Sequence, residues 1–315
     1  MWCSLVTQKA HKHRNKTLAS KKWWSYLLRS TDNSFGHDKS EIPERQEMIF
    51  FDAHVHIQER FNLDQFLLCA LDNFDRQRNV TAPQSSGTYF LLLTEAKSLD
   101  FFSLLAEQAR QKTGPLPAAW QVMTTGEKES LLLKHTFWPA VRMFVVAGRQ
   151  LVTRERLEVL ALATLAKIDD GRPLADTVAE VRNCGGLAVL PWGAGKWLGT
   201  RGRIVSDFLL SVSPDCLFVG DNGGRPDFWP RPALFDLAAR RNIHLLPGSD
   251  PLPLSGEECR VGTYGATVDG DCSDANPASA LKGLLLESKR LIKPFGQRQG
   301  AWQFFRTQAG LRLVK

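Results

Sequence analysis

The sequence predicts an α/β protein built as a (β/α) TIM-like barrel of seven or eight strands, and three observations lead there. From residue 48 onward, short apolar runs alternate with longer amphipathic segments, the pattern of repeated βα units. Polar residues recur at the C-terminal ends of the expected strands, where a parallel barrel gathers its site. No GxGxxG follows an early strand, so a dinucleotide-binding open sheet is disfavoured.

The elements follow in order. Strands are expected at Met48–Ile57, Thr88–Thr94, Ala118–Thr124, Val141–Val146, Leu157–Ala163, Leu187–Leu190, Cys216–Val219 and Ile243–Leu246, each a short apolar run. Helices are expected at Leu63–Arg78, Leu99–Lys112, Leu174–Cys184, Ile204–Ser211 and Arg231–Arg241, where apolar residues recur every three or four positions. Gly126–Pro139 shows no clear period, and Pro277–Lys315 reads as C-terminal helices packed outside the barrel.

A length of 315 residues suits one large core plus tails. Residues 1–46 are polar and basic, with nine Lys/Arg against four Asp/Glu, and read as a flexible extension. Residues 47–315 form the barrel with its C-terminal helices. Met48 directly precedes the first strand and is compatible with an alternative start that loses no site residue. The net charge of +7 resides mainly in this extension, so specific nucleic-acid binding is not expected. No run approaches the roughly 18 apolar residues of a membrane span, and the first residues lack a secretory signal pattern, so a cytoplasmic location is expected. The six cysteines form no CxxC pair and are expected to be reduced and mostly buried. Oligomeric state is not encoded in any of these features.

The sharpest motif is FFDAHVHI, Phe50–Ile57. Residues two apart on a strand share a face, so His54 and His56 can converge on one cation, with Asp52 on the same face. Imidazole is the commonest protein ligand of zinc and similar metals. Later strand ends add oxygen donors: Thr94 and Glu95 close YFLLLTE, Asp221 closes LFVGD, and Asp250 closes HLLPGSD. Glu158 lies among leucines and a valine, where a carboxylate needs a metal, a cation or a proton. Two loops, PWGAGKWLGTRGR and GDNGGRP, combine glycines with Lys196, Arg201 and Arg225, which suit phosphate or carboxylate, while Trp192 and Trp197 offer apolar walls.

These residues resemble the metal-dependent barrels of the PHP phosphoesterases and the amidohydrolases. The resemblance rests on DAHVHI, LLLTEAK and PGSDPLPL, and spans residues 48 to 260 in order. It implies His54, His56 and Asp250 as metal ligands, with Glu95 in the place of a second-strand acid. Leu252 stands where a PHP protein has a histidine two residues after the aspartate, and Trp192 and Lys196 stand where another histidine is expected. Only His135 and His244 follow the HxH pair, which implies a reduced site holding one or two divalent ions (zinc, manganese or magnesium) with more oxygen ligands than usual.

The function this suggests is enzymatic: a metal-dependent hydrolase acting through metal-activated water on a small anionic substrate, a phosphoester first. Asp221 and Glu158 are the candidate proton-transfer residues, and Lys196, Arg201, Arg225 and Trp192 the candidate substrate contacts. Amide or lactone hydrolysis, a non-catalytic anion-binding barrel, and a scaffolding role of the basic extension are the alternatives.

Overall fold

The computed structural model describes residues 47–287 and 291–313. The extension expected at residues 1–46 lies outside the described residues. Twelve strands are described: β1 Met48–Val55, β2 Thr88–Leu93, β3 Trp120–Thr124, β4 Ser130–His135, β5 Trp138–Val146, β6 Gly148–Val152, β7 Glu158–Leu162, β8 Leu187–Pro191, β9 Phe218–Asn222, β10 Leu245–Gly248, β11 Tyr264–Asp269 and β12 Lys293–Gly296. Seven α-helices accompany them: α1 Leu63–Thr81, α2 Phe101–Gln111, α3 Leu174–Asn183, α4 Gly199–Ser211, α5 Ala233–Arg240, α6 Pro277–Leu286 and α7 Ala301–Leu313.

The strands do not close into a barrel, which corrects the TIM-like expectation. They form two mixed sheets, one of seven strands in the order β12-β11-β1-β2-β5-β4-β3 and one of five in the order β10-β9-β8-β7-β6. The reason lies in edges already taken. β1 pairs in parallel with β2 on one side and antiparallel with β11 over Met48–Phe51 on the other, so β10 meets only the end of β1. There the amide of Asp250 donates to the carbonyl of His54 at 2.8 Å. Likewise β2 pairs with β5 over Thr88–Leu92, and β6 reaches only the bridge between Glu95 and Arg149 beyond the strand end. Two seams at the C-terminal strand ends thus replace a continuous ladder.

Three apolar clusters fill the layers. Ile49, Phe51, Phe90 and Phe144 of the larger sheet meet Leu162, Val189, Phe218 and Leu246 of the smaller one. Phe50, Tyr89, Leu91 and Val145 pack on the opposite face of the larger sheet with Phe66, Leu67, Ala70 and Phe74 of α1 and Leu105 of α2. Val159, Leu190 and Val219 face α3, α4 and α5 through Val178, Val205 and Phe235. Each of α1–α5 buries one stripe, as its three-and-four spacing requires. Phe50 and Val55 both join the α1 cluster although they lie five positions apart, because the ladder slips between Asp52 and Val55.

The five central helices lie where their spacing placed them, within a few residues. Other expectations need correction. The unreadable Gly126–Pro139 segment holds β4, Gly148–Val152 is a hairpin strand, and the helical reading of Pro277–Lys315 is interrupted by β12. The cysteines are not all reduced: Cys69 of α1 forms a disulfide with Cys259, while Cys184 is exposed, Cys216 partly buried and Cys272 buried. Among the described residues no helix is long and apolar enough to cross a membrane.

Gly248 ends β10 directly against β1, where an added Cβ would overlap the backbone nitrogen and Cβ of His54. Replacing Gly248 with alanine should therefore cost about 1–3 kcal/mol of stability, the usual range for forced overpacking. Denaturant unfolding measures it, and an unchanged midpoint would contradict the close approach.

Candidate metal centre

The seam between β1 and β10 assembles the site. His54 and His56 leave the end of β1, and Asp250 stands two residues beyond β10. His54 Nε2 and His56 Nε2 are 3.1 Å apart, and Asp250 Oδ1 lies 3.6 and 3.5 Å from them. Two ligands about 2.1 Å from a tetrahedral ion stand about 3.4 Å from each other, so this triangle has the spacing of one ion's donors. The three side chains form a group that could hold a metal ion.

Backbone geometry supports the arrangement. Asp250 has a φ of +50°, a left-handed conformation that aspartate tolerates better than most residues and that recurs at functional sites. Its amide is held by His54, and its second carboxylate oxygen accepts from the side-chain amide of Asn222 at the end of β9. Beneath it, the fully buried Asp52 accepts from the amides of His54, Ser249 and Gly262 and from the Ser249 hydroxyl. One carboxylate therefore ties β1 to the segments after β10 and before β11. Burial pushes the Asp52 carboxyl up to about 6, while these four donors act in the opposite direction.

Protonation states suit metal binding. Burial, with the neighbouring His54, lowers His56 to about 4, which keeps its imidazole neutral at physiological pH. Burial alone would raise the Asp250 carboxyl, but His54 and His56 outweigh it and hold the group below the usual carboxylate range. A neutral imidazole at His56 and an ionised carboxylate at Asp250 are forms that donate lone pairs to a cation.

A polar chain continues from His56. Thr94 Oγ1 lies 3.4 Å from His56 Nε2, and Gln150 hydrogen-bonds the same ring. Gln150 Nε2 donates at 3.1 Å to Glu158 Oε1, which also pairs with Lys196. Glu158 and Lys196, singled out in the sequence, thus stand one and two residues removed from His56. Gln150 also lines a cleft of about 370 Å³ where Lys97, Arg149 and Lys167 stand among Glu95, Asp100, Asp169 and Asp170.

Other sequence candidates are placed differently. Glu95, expected as a ligand, turns its carboxylate onto the first-turn amides Phe101 N and Phe102 N of α2 and is not part of the three-residue group. Asp221, expected to move a proton, accepts both arms of the Arg225 guanidinium at 2.8 and 2.7 Å and the Tyr264 hydroxyl at 2.7 Å. All three are buried or nearly so, and Arg225 is thereby committed to the protein instead of a substrate. Arg201 donates to the carbonyls of Arg156 and Gly195. Trp192 is buried and lines a separate pocket. Asn222, Gln150 as a histidine partner, and Asp52 as the seam's clamp were not assigned these roles from the sequence. The i, i+4 spacing of Asp221 and Arg225 is the one such signal visible in it.

No family model matches the chain, and no curated protein matches it. Among solved structures the chain is similar to PsfC from Pseudomonas syringae PB-5123, with a TM-score of 0.51 and 15% identity, covering 85% of this chain and 100% of that one. At that identity the likeness extends to the fold.

The position of Glu95 yields a pH test. Burial pushes its carboxyl up to about 7 from an ordinary 4.5, against the amide hydrogen bonds of Phe102 and Phe101. A raised folded-state value means the proton is held longer in the native protein, so its stability contribution is full below about 4.5 and is lost as pH rises through 7. Glu95→Gln should remove that slope, leaving the variant more stable than the parent at pH 8 with its metal content unchanged. Parallel stability profiles from pH 4 to 8 would contradict this.

Proposed function

We propose that the chain is a metal-dependent hydrolase that splits small phosphoesters with one zinc ion held by His54, His56 and Asp250, a reading consistent with its resemblance to PHP phosphoesterases and amidohydrolases. The observation that carries it is the convergence of two Nε2 atoms and one carboxylate oxygen within 3.1–3.6 Å. Two imidazoles and one carboxylate favour zinc over magnesium, which prefers all-oxygen surroundings. A bound ion of this kind lowers the pKa of its water to about 7, which supplies a nucleophile at neutral pH.

The chain's own residues supply the rest. Asn222 orients the Asp250 carboxylate through its second oxygen, an outer hydrogen bond of the kind metal sites depend on. Glu158 takes the proton role in place of Asp221, since it reaches His56 through Gln150 and is not enclosed by a guanidinium. In the overall change a water oxygen bonds to phosphorus, the ester P–O bond breaks, and the departing oxygen gains the proton that water loses. Lys196 is the cation that this reading sets beside that oxygen.

The test is metal content alongside turnover. Purified parent protein should retain close to one zinc per chain by elemental analysis and hydrolyse simple phosphomonoesters, while His54→Ala and His56→Ala should lose the metal and at least about a hundredfold in rate, as loss of a major electrostatic group does. Protein that binds no zinc, or turnover that persists in both variants, overturns the proposal.

A further inference from the structure

A second cavity lies on the same rim. It measures about 260 Å³ and is walled by Trp192, Trp197 and Trp229, with Gly193 in the loop after β8. Trp192 and Trp229 stand edge to face with ring centroids 6.0 Å apart, and Trp197 is braced the same way against Phe235 at 5.6 Å. Trp192 and Trp197 are otherwise part of the core beneath, so the rings are held before any ligand arrives. Rigid π faces around a small opening select flat aromatic groups, because stacked and edge-on contacts add to simple burial.

Two further features give the pocket a polarity. Leu198 and Pro232 both line it, and they are the residues immediately preceding α4 and α5. Neither supplies a side-chain cap, so the positive ends of two helices stand at this cavity with first-turn amides that no capping side chain covers. A negatively charged or electron-rich ring is favoured there over a cationic one.

The pocket also connects to the metal centre. The loop that carries Gly193 and Trp197 carries Lys196, whose stem runs across Gly193 where any Cβ would collide with it. The Lys196 ammonium pairs with Glu158, and Glu158 accepts from Gln150, the partner of His56. One side chain separates the aromatic cavity from the polar chain that leads to the histidines.

We infer that this pocket holds the aromatic leaving group of the substrate, so that the preferred ester is an aryl phosphate whose product departs as a phenol, its oxygen taking the proton that water loses. The inference rests on the hydrolase reading for what happens to the phosphate, but the pocket's choice of ligand is measurable without turnover. Lys196 stands at the junction, where it faces the oxygen shared by ring and phosphate.

Phenylphosphonate and ethylphosphonate, which carry a C–P bond in place of the ester, serve as probes in calorimetric titration of the zinc-loaded full chain. Phenylphosphonate should bind about tenfold more tightly and perturb tryptophan emission, a preference in the range aromatic stacking provides. Trp229→Leu, which opens the pocket, and Ala233→Phe, which fills it, should each reduce the preference to about twofold or less while zinc content stays intact. Equal affinities in the parent, no binding of either probe, or a preference surviving in both variants overturns the inference. The two readings separate cleanly. A strong phenyl preference without hydrolysis of any phosphomonoester leaves the pocket standing and removes the hydrolase, whereas hydrolysis of alkyl and aryl esters alike does the reverse.

Discussion

The site depends on the contact between the ends of β1 and β10, a seam with almost no ladder of its own. Strand pairing elsewhere in the molecule is dense, but here the joint is one amide-to-carbonyl hydrogen bond, one glycine with no room for a Cβ, and one buried carboxylate. Asp52 contributes most. A carboxylate excluded from water is costly unless several donors satisfy it, and the donors it collects come from β1, from Ser249 after β10 and from Gly262 before β11. Removing any of these segments would leave charge or amide groups unsatisfied, so the seam is held shut by the cost of opening it. That constraint brings His54 and Asp250 side by side.

The same logic explains why the two sheets need not close. A barrel spreads strand-end residues around one mouth through continuous pairing. Here β11 and β5 occupy the edges that closure would have used, and the sheets, packed face to face through side chains, meet by backbone hydrogen bonds where the chain leaves the strands. Convergence of the C-terminal ends survives this change, since β1, β2, β8, β9 and β10 run parallel within their sheets and release their loops on a common side. A histidine pair from one sheet and an aspartate from the other can then share a point in space.

How much of this was legible follows from the range of each interaction. The HxH pair and the Gly-Ser-Asp ending were visible because a strand end followed by donors is a local pattern, and those three residues do come together. The open architecture was not visible. It turns on β11, whose YGATVD carries a glycine and no long apolar run, and on β12, whose KPFG is four residues with a proline and a glycine. Glu95 has the right position along its strand, but its orientation is decided by α2 beginning six residues later. The enclosure of Asp221 is similar: Arg225 lies four residues away, yet Tyr264, forty-three residues away, completes it only in three dimensions. Side-chain roles that depend on partners distant in sequence escape a local reading, whereas donors fixed by strand alternation do not.

Anomalous diffraction at the zinc edge, from crystals of the zinc-loaded protein, tests the central claim most directly. One peak is expected within about 2.0–2.2 Å of His54 Nε2, His56 Nε2 and an Asp250 carboxylate oxygen together. A fully loaded crystal whose peak lies away from the β1–β10 seam, or touches only one of the two imidazoles, would contradict it.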